Sequence, residues 1–193
     1  TVTNITYNQR FTPLLLATHR PAITIFTLGE PALPQLATLA EEGNVAPLRT
    51  LLDASPHVRA TEAGNALLDP GKSVSFRIQG NPWRDRLSLA AMLIPTNDAF
   101  VGLDAVQLPY PGWPVQTYTA VAHDAGSEVN DELCSSIPGP FFAECGGSGG
   151  GGNDKREKAD VDHRGRQPTD VGGNRDGDPP RDPHQNEREQ RLA

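Results

Sequence analysis

Between Arg86 and Lys155 the sequence contains no lysine or arginine, although Asp98, Asp104, Asp124, Glu128, Asp131, Glu132 and Glu144 all fall there. Carboxylates with no basic neighbour along the chain must be solvated, paired with distant arginines, or neutralised by a cation. Other absences narrow the function. The formal net charge is −7 over 193 residues, so there is no basic stripe to displace counterions from phosphate, and a nucleic-acid partner is excluded. The longest apolar runs, Leu14 to Ala17 and Leu87 to Ile94, fall well short of the roughly 18 residues that span a bilayer. No repeat of about 20 to 50 residues is visible. G-x-S-x-G, H-E-x-x-H and a phosphate-cradling glycine loop leading into a helix are also missing.

Cysteine is nearly absent. Cys134 and Cys145 are 11 positions apart, which is neither a metal-ligand spacing nor a redox C-x-x-C pair. A disulfide stapling the loop is the better reading, worth about 3 kcal/mol on the chain-entropy model, with two ordinary thiols as the alternative. A staple implies an oxidising, extracytoplasmic compartment, secreted or periplasmic. Thr1 in place of an initiating methionine suggests a mature form after signal removal, or an expressed segment.

What is present divides in two. Residues 1–145 hold 8 basic and 14 acidic residues, whereas 146–193 hold 9 and 10. The second part opens with Gly146-Gly147-Ser148-Gly149 and has Val161, Val171 and Leu192 as its only large apolar residues. That is too little burial to offset chain entropy, so a glycine-rich linker and a disordered polar tail are expected over 146–193.

Residues 1–145 read as mainly β. Val2 to Tyr7 and Ala22 to Thr27 alternate apolar and polar, the latter forming the best early strand. Phe11 to Ala17 is interrupted by Pro13 and reads as an edge segment or extended loop. Leu33, Leu36, Leu39 and Ala40 recur at helical spacing ahead of Gly43, and Ala46, Leu48, Leu51 and Leu52 give a second short helix with Pro47 in its first turn. These two helices are expected to cover a sheet edge or one end of a sandwich. Strands resume at Val58 to Ala60, Ser73 to Ile78, Leu87 to Ile94, Phe100 to Leu108 and Val115 to His123, with Leu87 to Ile94 apolar enough to be buried on both faces. The expected architecture is an antiparallel β-sandwich with two short inserted helices and a disordered C-terminal tail.

Carboxylates in loops beside strand ends, with backbone carbonyls close by, suit a hard cation such as calcium. Asp98 and Asp104 bracket the start of one strand, and Asp124 and Glu128 lie four apart in a turn centred on Ala125-Gly126. The bland alternative is that Asp98, Asp124 and Asp131 cap turns through their own backbone. Of the spread histidines only His123 adjoins this group, and an ordinary strand-end histidine is favoured over a general acid–base role.

The run Ile94-Pro95-Thr96-Asn97-Asp98-Ala99-Phe100-Val101-Gly102-Leu103-Asp104, followed by Asp124-Ala125-Gly126-Ser127-Glu128, resembles the spondin N-terminal domain family. Animal members carry a Val-Gly-x-Asp segment and a later Asp-Ala-Gly-Thr-Asp. Phe11-Thr12-Pro13, Ala17-Thr18-His19-Arg20, Leu39-Ala40-Glu41-Glu42-Gly43 and Ser88 to Asp98 are similar to the bacterial branch. The resemblance covers roughly residues 1–145. It implies a β-sandwich holding calcium through Asp98, Asp124 and Glu128, with Asp104 less central, and Glu128 standing where the family has aspartate. It further implies a non-catalytic, secreted module for adhesion or cell-envelope interaction with a protein or glycan partner at the cell surface. A metal-free interaction module and a hydrolase using His123 are the alternatives. The bacterial branch continues with further apolar, histidine-containing segments where this chain runs into Asn153-Asp154-Lys155-Arg156, so an uncovered sheet edge is expected.

Overall fold

The computed structural model describes residues 1–131 and 133–137. The expectations for the linker and tail, the domain boundary at 145, Glu132 and Cys145 lie outside the described residues.

The chain forms β1 (Val2–Thr3), β2 (Arg10–Phe11), β3 (Leu15–His19), α1 (Pro34–Glu42), α2 (Ala46–Asp53), β4 (Val58–Ala63), β5 (Ser73–Val74), β6 (Arg86–Ile94), β7 (Ala99–Gln107) and β8 (Val121–Asp124), closing with a 3₁₀ turn at Cys134–Ser136. It is mainly β with antiparallel pairing throughout, plus two helices, as the sequence pattern indicates. The main sheet runs β4-β3-β6-β7-β8, and β2 joins the same side of β6 beyond β3. A small β1-β5 sheet forms a separate layer.

Strand β6 is the centre of the molecule, and its alternation explains the layering. Leu89, Ala91 and Leu93 pack with Phe11, Leu14, Leu16 and Val101 in a core that Val2 and Val74 of the small sheet help to close. The intervening Ala90, with Leu15, Ala17 and Phe100, faces Leu36, Leu39 and Ala40 of α1 and Leu48 and Leu52 of α2. A strand buried on both faces reads as continuous apolar sequence, and Leu87 to Ile94 does. The helices therefore lie, together with Ile25 and Phe26, on one face of the main sheet rather than at its edge or end. Gly43 ends α1 at φ 68°, and a Cβ there would come within 2.6 Å of the Thr12 methyl, so glycine is required twice over.

Several expected strands differ from those observed. Phe11 to Ala17 breaks at Pro13, but the half beyond it, β3, is an interior strand paired to both β4 and β6. The first strand stops at Asn4, whose side-chain amide donates to the carbonyls of Gln9 (2.7 Å) and Leu68 (2.9 Å), diverting the chain. Ala22 to Thr27 alternates but is not a strand; the Ile25 amide donates to Asp104 Oδ1 at 2.8 Å instead of to a ladder. Ser73 to Ile78 keeps Val74, Phe76 and Ile78 inward, though only its first two residues pair. Of Val115 to His123 only the last three residues enter β8, and Val115 is fully exposed. Among the described residues β8 has no strand beyond it and pairs only with Ala99 to Gly102 of β7.

Candidate metal centre

The β6–β7 turn and the loop after β8 meet at one end of the sheet because Ala99 is registered opposite Asp124. Asp98, in the turn, is 1% exposed. Its Oδ2 accepts the Ser127 amide (3.0 Å), the Ser127 hydroxyl (3.2 Å) and the Glu128 amide (3.0 Å), while its carbonyl accepts the Ala125 amide at 3.2 Å. One side chain thus fixes the Asp124 to Glu128 loop. The other oxygen, Oδ1, is buried without a hydrogen-bond partner.

Asp124 is folded into the same loop. Its Oδ1 accepts the Gly126 amide and its Oδ2 the Asn130 side-chain amide, both at 2.6 Å. Gly126 adopts φ 65°, the left-handed conformation that the tight turn demands. Burial, and next the charge of Asp124, raise the Asp98 carboxyl from its ordinary range to about 6, against the opposing pull of the Glu128 and Ser127 donors. Glu128 is buried beside them. His123 is packed at 4.6 Å from the ring of Phe26 and 5.3 Å from that of Phe100, a core aromatic setting.

The structure thus places Asp98, Asp124 and the Glu128 amide in one loop cluster and does not bring Asp104 to it. Six residues along a strand at about 3.3 Å each put Asp104 roughly 20 Å from Asp98. A bulge explains its orientation: Leu87 pairs with Val106 but Leu89 with Leu103, so Asp104 and Ala105 together oppose Ser88. Asp104 Oδ1 accepts the Ile25 amide (2.8 Å) and lies 3.0 Å from the Ser88 hydroxyl. Sequence reasoning missed the group this creates, in which buried Ser88 also meets His19 Nε2 (2.7 Å) and the Ala105 amide (2.8 Å).

As for a cation, the fit is partial and specific. Among the described residues no three His, Cys, Asp or Glu side chains are arranged as a ready-made metal cage. Two carboxylates close enough for one to raise the other, with a buried oxygen lacking any donor, are nonetheless the feature an oxygen-seeking ion would neutralise. Asp131, by contrast, is a turn cap: its Oδ1 accepts the Leu133 amide (2.9 Å) and its Oδ2 the Ser136 hydroxyl (2.7 Å). Cys134 is held in a disulfide.

A family model, Spondin_N, matches residues 4–130, a span that contains every element from the end of β1 to the Asp124 loop. The chain belongs to the spondin N-terminal domain family. No curated protein sequence matches it. The family match covers the main sheet, both helices and the acidic loop cluster, and it marks the chain as an interaction module. Among the described residues no helix is long and apolar enough to cross a membrane.

Proposed function

We propose that this spondin domain is an extracytoplasmic, non-catalytic calcium-binding module, serving adhesion or cell-envelope interaction with a protein or glycan partner. The observation that carries the reading is the buried, donorless Oδ1 of Asp98 beside a second carboxylate. Asp98 and Asp124 would hold the ion, with Glu128 and backbone carbonyls available to complete an oxygen shell. An N–H donor occupies only one lone pair of a carboxylate oxygen, so the bonds that shape the loop are compatible with an ion. Calcium there would supply the positive charge that this stretch of sequence lacks, and would pin the loops after β6 and β8 into a defined surface. The disulfide at Cys134 supports an oxidising compartment. His123, packed against Phe26 and Phe100, has no catalytic role in this reading.

Thermal unfolding with calcium and with chelator tests the reading. At a hundredfold excess over its dissociation constant, an ion that binds only the folded state stabilises it by about 2.7 kcal/mol. Wild type is expected to show this stabilisation, and Asp124→Ala to lose it. An unchanged melting temperature in wild type would leave a metal-free interaction module whose aspartates only cap turns.

A further inference from the structure

At the opposite end of the sheet from Asp98 lies a surface of different character. Arg86 is registered opposite Gln107, so the Asn81 to Asp85 turn entering β6 and the Pro109 to Pro114 loop leaving β7 emerge side by side. Gln107 Nε2 clamps them together by donating to the Pro82 carbonyl at 2.7 Å. On them Trp83, Tyr110 and Trp113 form a row, with centroids 5.7 Å and then 5.3 Å apart and successive ring planes inclined by 58° and 55°, so that each ring offers its own facet. The two tryptophans, the only ones in the chain, are 68% and 64% exposed. Tryptophan is normally among the more buried residues, so exposing both in one row marks a contact surface.

The charge beside this row is positive in an otherwise acidic protein. Asp85, in the same turn as Trp83, is buried and ion-paired with Arg59. Arg86 Nη1 donates to the Asp85 carbonyl at 3.2 Å. Burial would raise the Asp85 carboxyl, but the Asn81 amide and the charges of Arg59 and Arg20 outweigh it and hold the group below its ordinary value. The Asp85 carboxylate thus faces Arg59 and Arg20, while Arg86 is bound to its backbone carbonyl and exposed Arg84 is next to it in sequence, which leaves an excess of guanidinium groups.

We propose that this face binds an acidic polysaccharide whose sugars carry carboxylates, the sugar rings lying on Trp83, Tyr110 and Trp113 and the carboxylates meeting the neighbouring arginines. Aromatic rings offer flat apolar faces to the C–H face of a sugar, and successive rings here are separated by about the length of one hexose. Guanidinium forks match planar carboxylates. The rings touch one another, leaving no slot for the prolines of an extended peptide. Tyr110 is half-buried between the tryptophans, so the row is a floor rather than a wedge for acyl chains. The proposal deepens the reading of the module as an adhesive one, but this face is separate from the Asp98 loops and its test is made in chelator.

Because both tryptophans lie on this floor, their intrinsic fluorescence reports binding. Titration with a galacturonate oligomer in chelator is expected to give a saturable emission change, weakened about tenfold or more in Trp113→Ala and again in Arg84→Gln. Both substitutions are at exposed loop positions and should leave the melting temperature unchanged. Equal affinity for an uncharged glucose oligomer, binding that survives in both Trp83→Ala and Trp113→Ala, a response only to phosphatidylglycerol vesicles, or no response at all would each overturn the proposal.

Discussion

Asp98→Asn is expected to raise the stability of the calcium-free protein at pH 8 by up to about 3 kcal/mol while abolishing its response to calcium. The folded-state value of this carboxyl is about 6 against an ordinary 3.8, so the folded protein holds the proton more tightly than the unfolded chain. Stability is then greatest below pH 4 as far as this group is concerned, and falls as the pH rises through 6. At about 1.4 kcal/mol per unit, the ionised carboxylate costs the fold about 3 kcal/mol above that window. Asparagine keeps a carbonyl oxygen for the Ser127 and Glu128 donors but carries no charge beside Asp124. Its advantage should therefore shrink to well under about 1 kcal/mol near pH 4, where wild-type Asp98 is protonated in the folded state and about half protonated in the unfolded chain. Urea unfolding of the two proteins in chelator at pH 4 and 8 measures the difference. A variant less stable than wild type at pH 8 would mean that the Asp98 charge is already compensated within the protein, and would remove the reason for an ion.

Ser88→Ala should destabilise the protein by about 3 kcal/mol or more, although it deletes a single oxygen. Three polar groups converge on that hydroxyl: His19 Nε2, Asp104 Oδ1 and the amide of Ala105. His19 is fully buried, and its Nδ1 faces the Arg20 carbonyl at 2.8 Å, which can only accept, so Nδ1 carries a hydrogen. Asp104 Oδ1 keeps the Ile25 amide, so His19 Nε2 and the Ala105 amide are the groups left without this partner, at about 1–3 kcal/mol for each that stays unsatisfied. The hydroxyl also supports the bulge, because Ala105 sits at φ 50°, a left-handed conformation unfavourable for a residue with a Cβ. Losing its partner removes what holds it there. A cost below about 1 kcal/mol by denaturant unfolding would show that water replaces the hydroxyl and that the group is not closed.

The parts of the fold legible in the sequence were those where local pattern and burial agree. The unbroken apolarity of Leu87 to Ile94 announced a strand covered on both faces, and Gly43 announced the end of α1. The turn at Ala125-Gly126 was legible for the same reason, with Asp124 accepting the Gly126 amide inside it. Ala22 to Thr27 was misleading because alternation records which side chains face inward, not where the amides go, and the Ile25 amide goes to a side chain. Pro13 breaks pairing only locally, between β2 and β3, and β3 starts two residues later in the interior of the sheet. The Ser88 group depends on a bulge whose left-handed residue is alanine, where glycine would have signalled it, while the distance of Asp104 from Asp98 follows from the strand itself.

The account rests most heavily on a cation at Asp98 and Asp124, and calorimetric titration of calcium into the protein at pH 7.5 tests it most directly. One ion per chain is expected, with affinity that weakens as the pH is lowered through 6 because a proton then competes at Asp98, and with no binding to Asp98→Asn. Absence of saturable heat in wild type, or binding that Asp98→Asn retains in full, would contradict it.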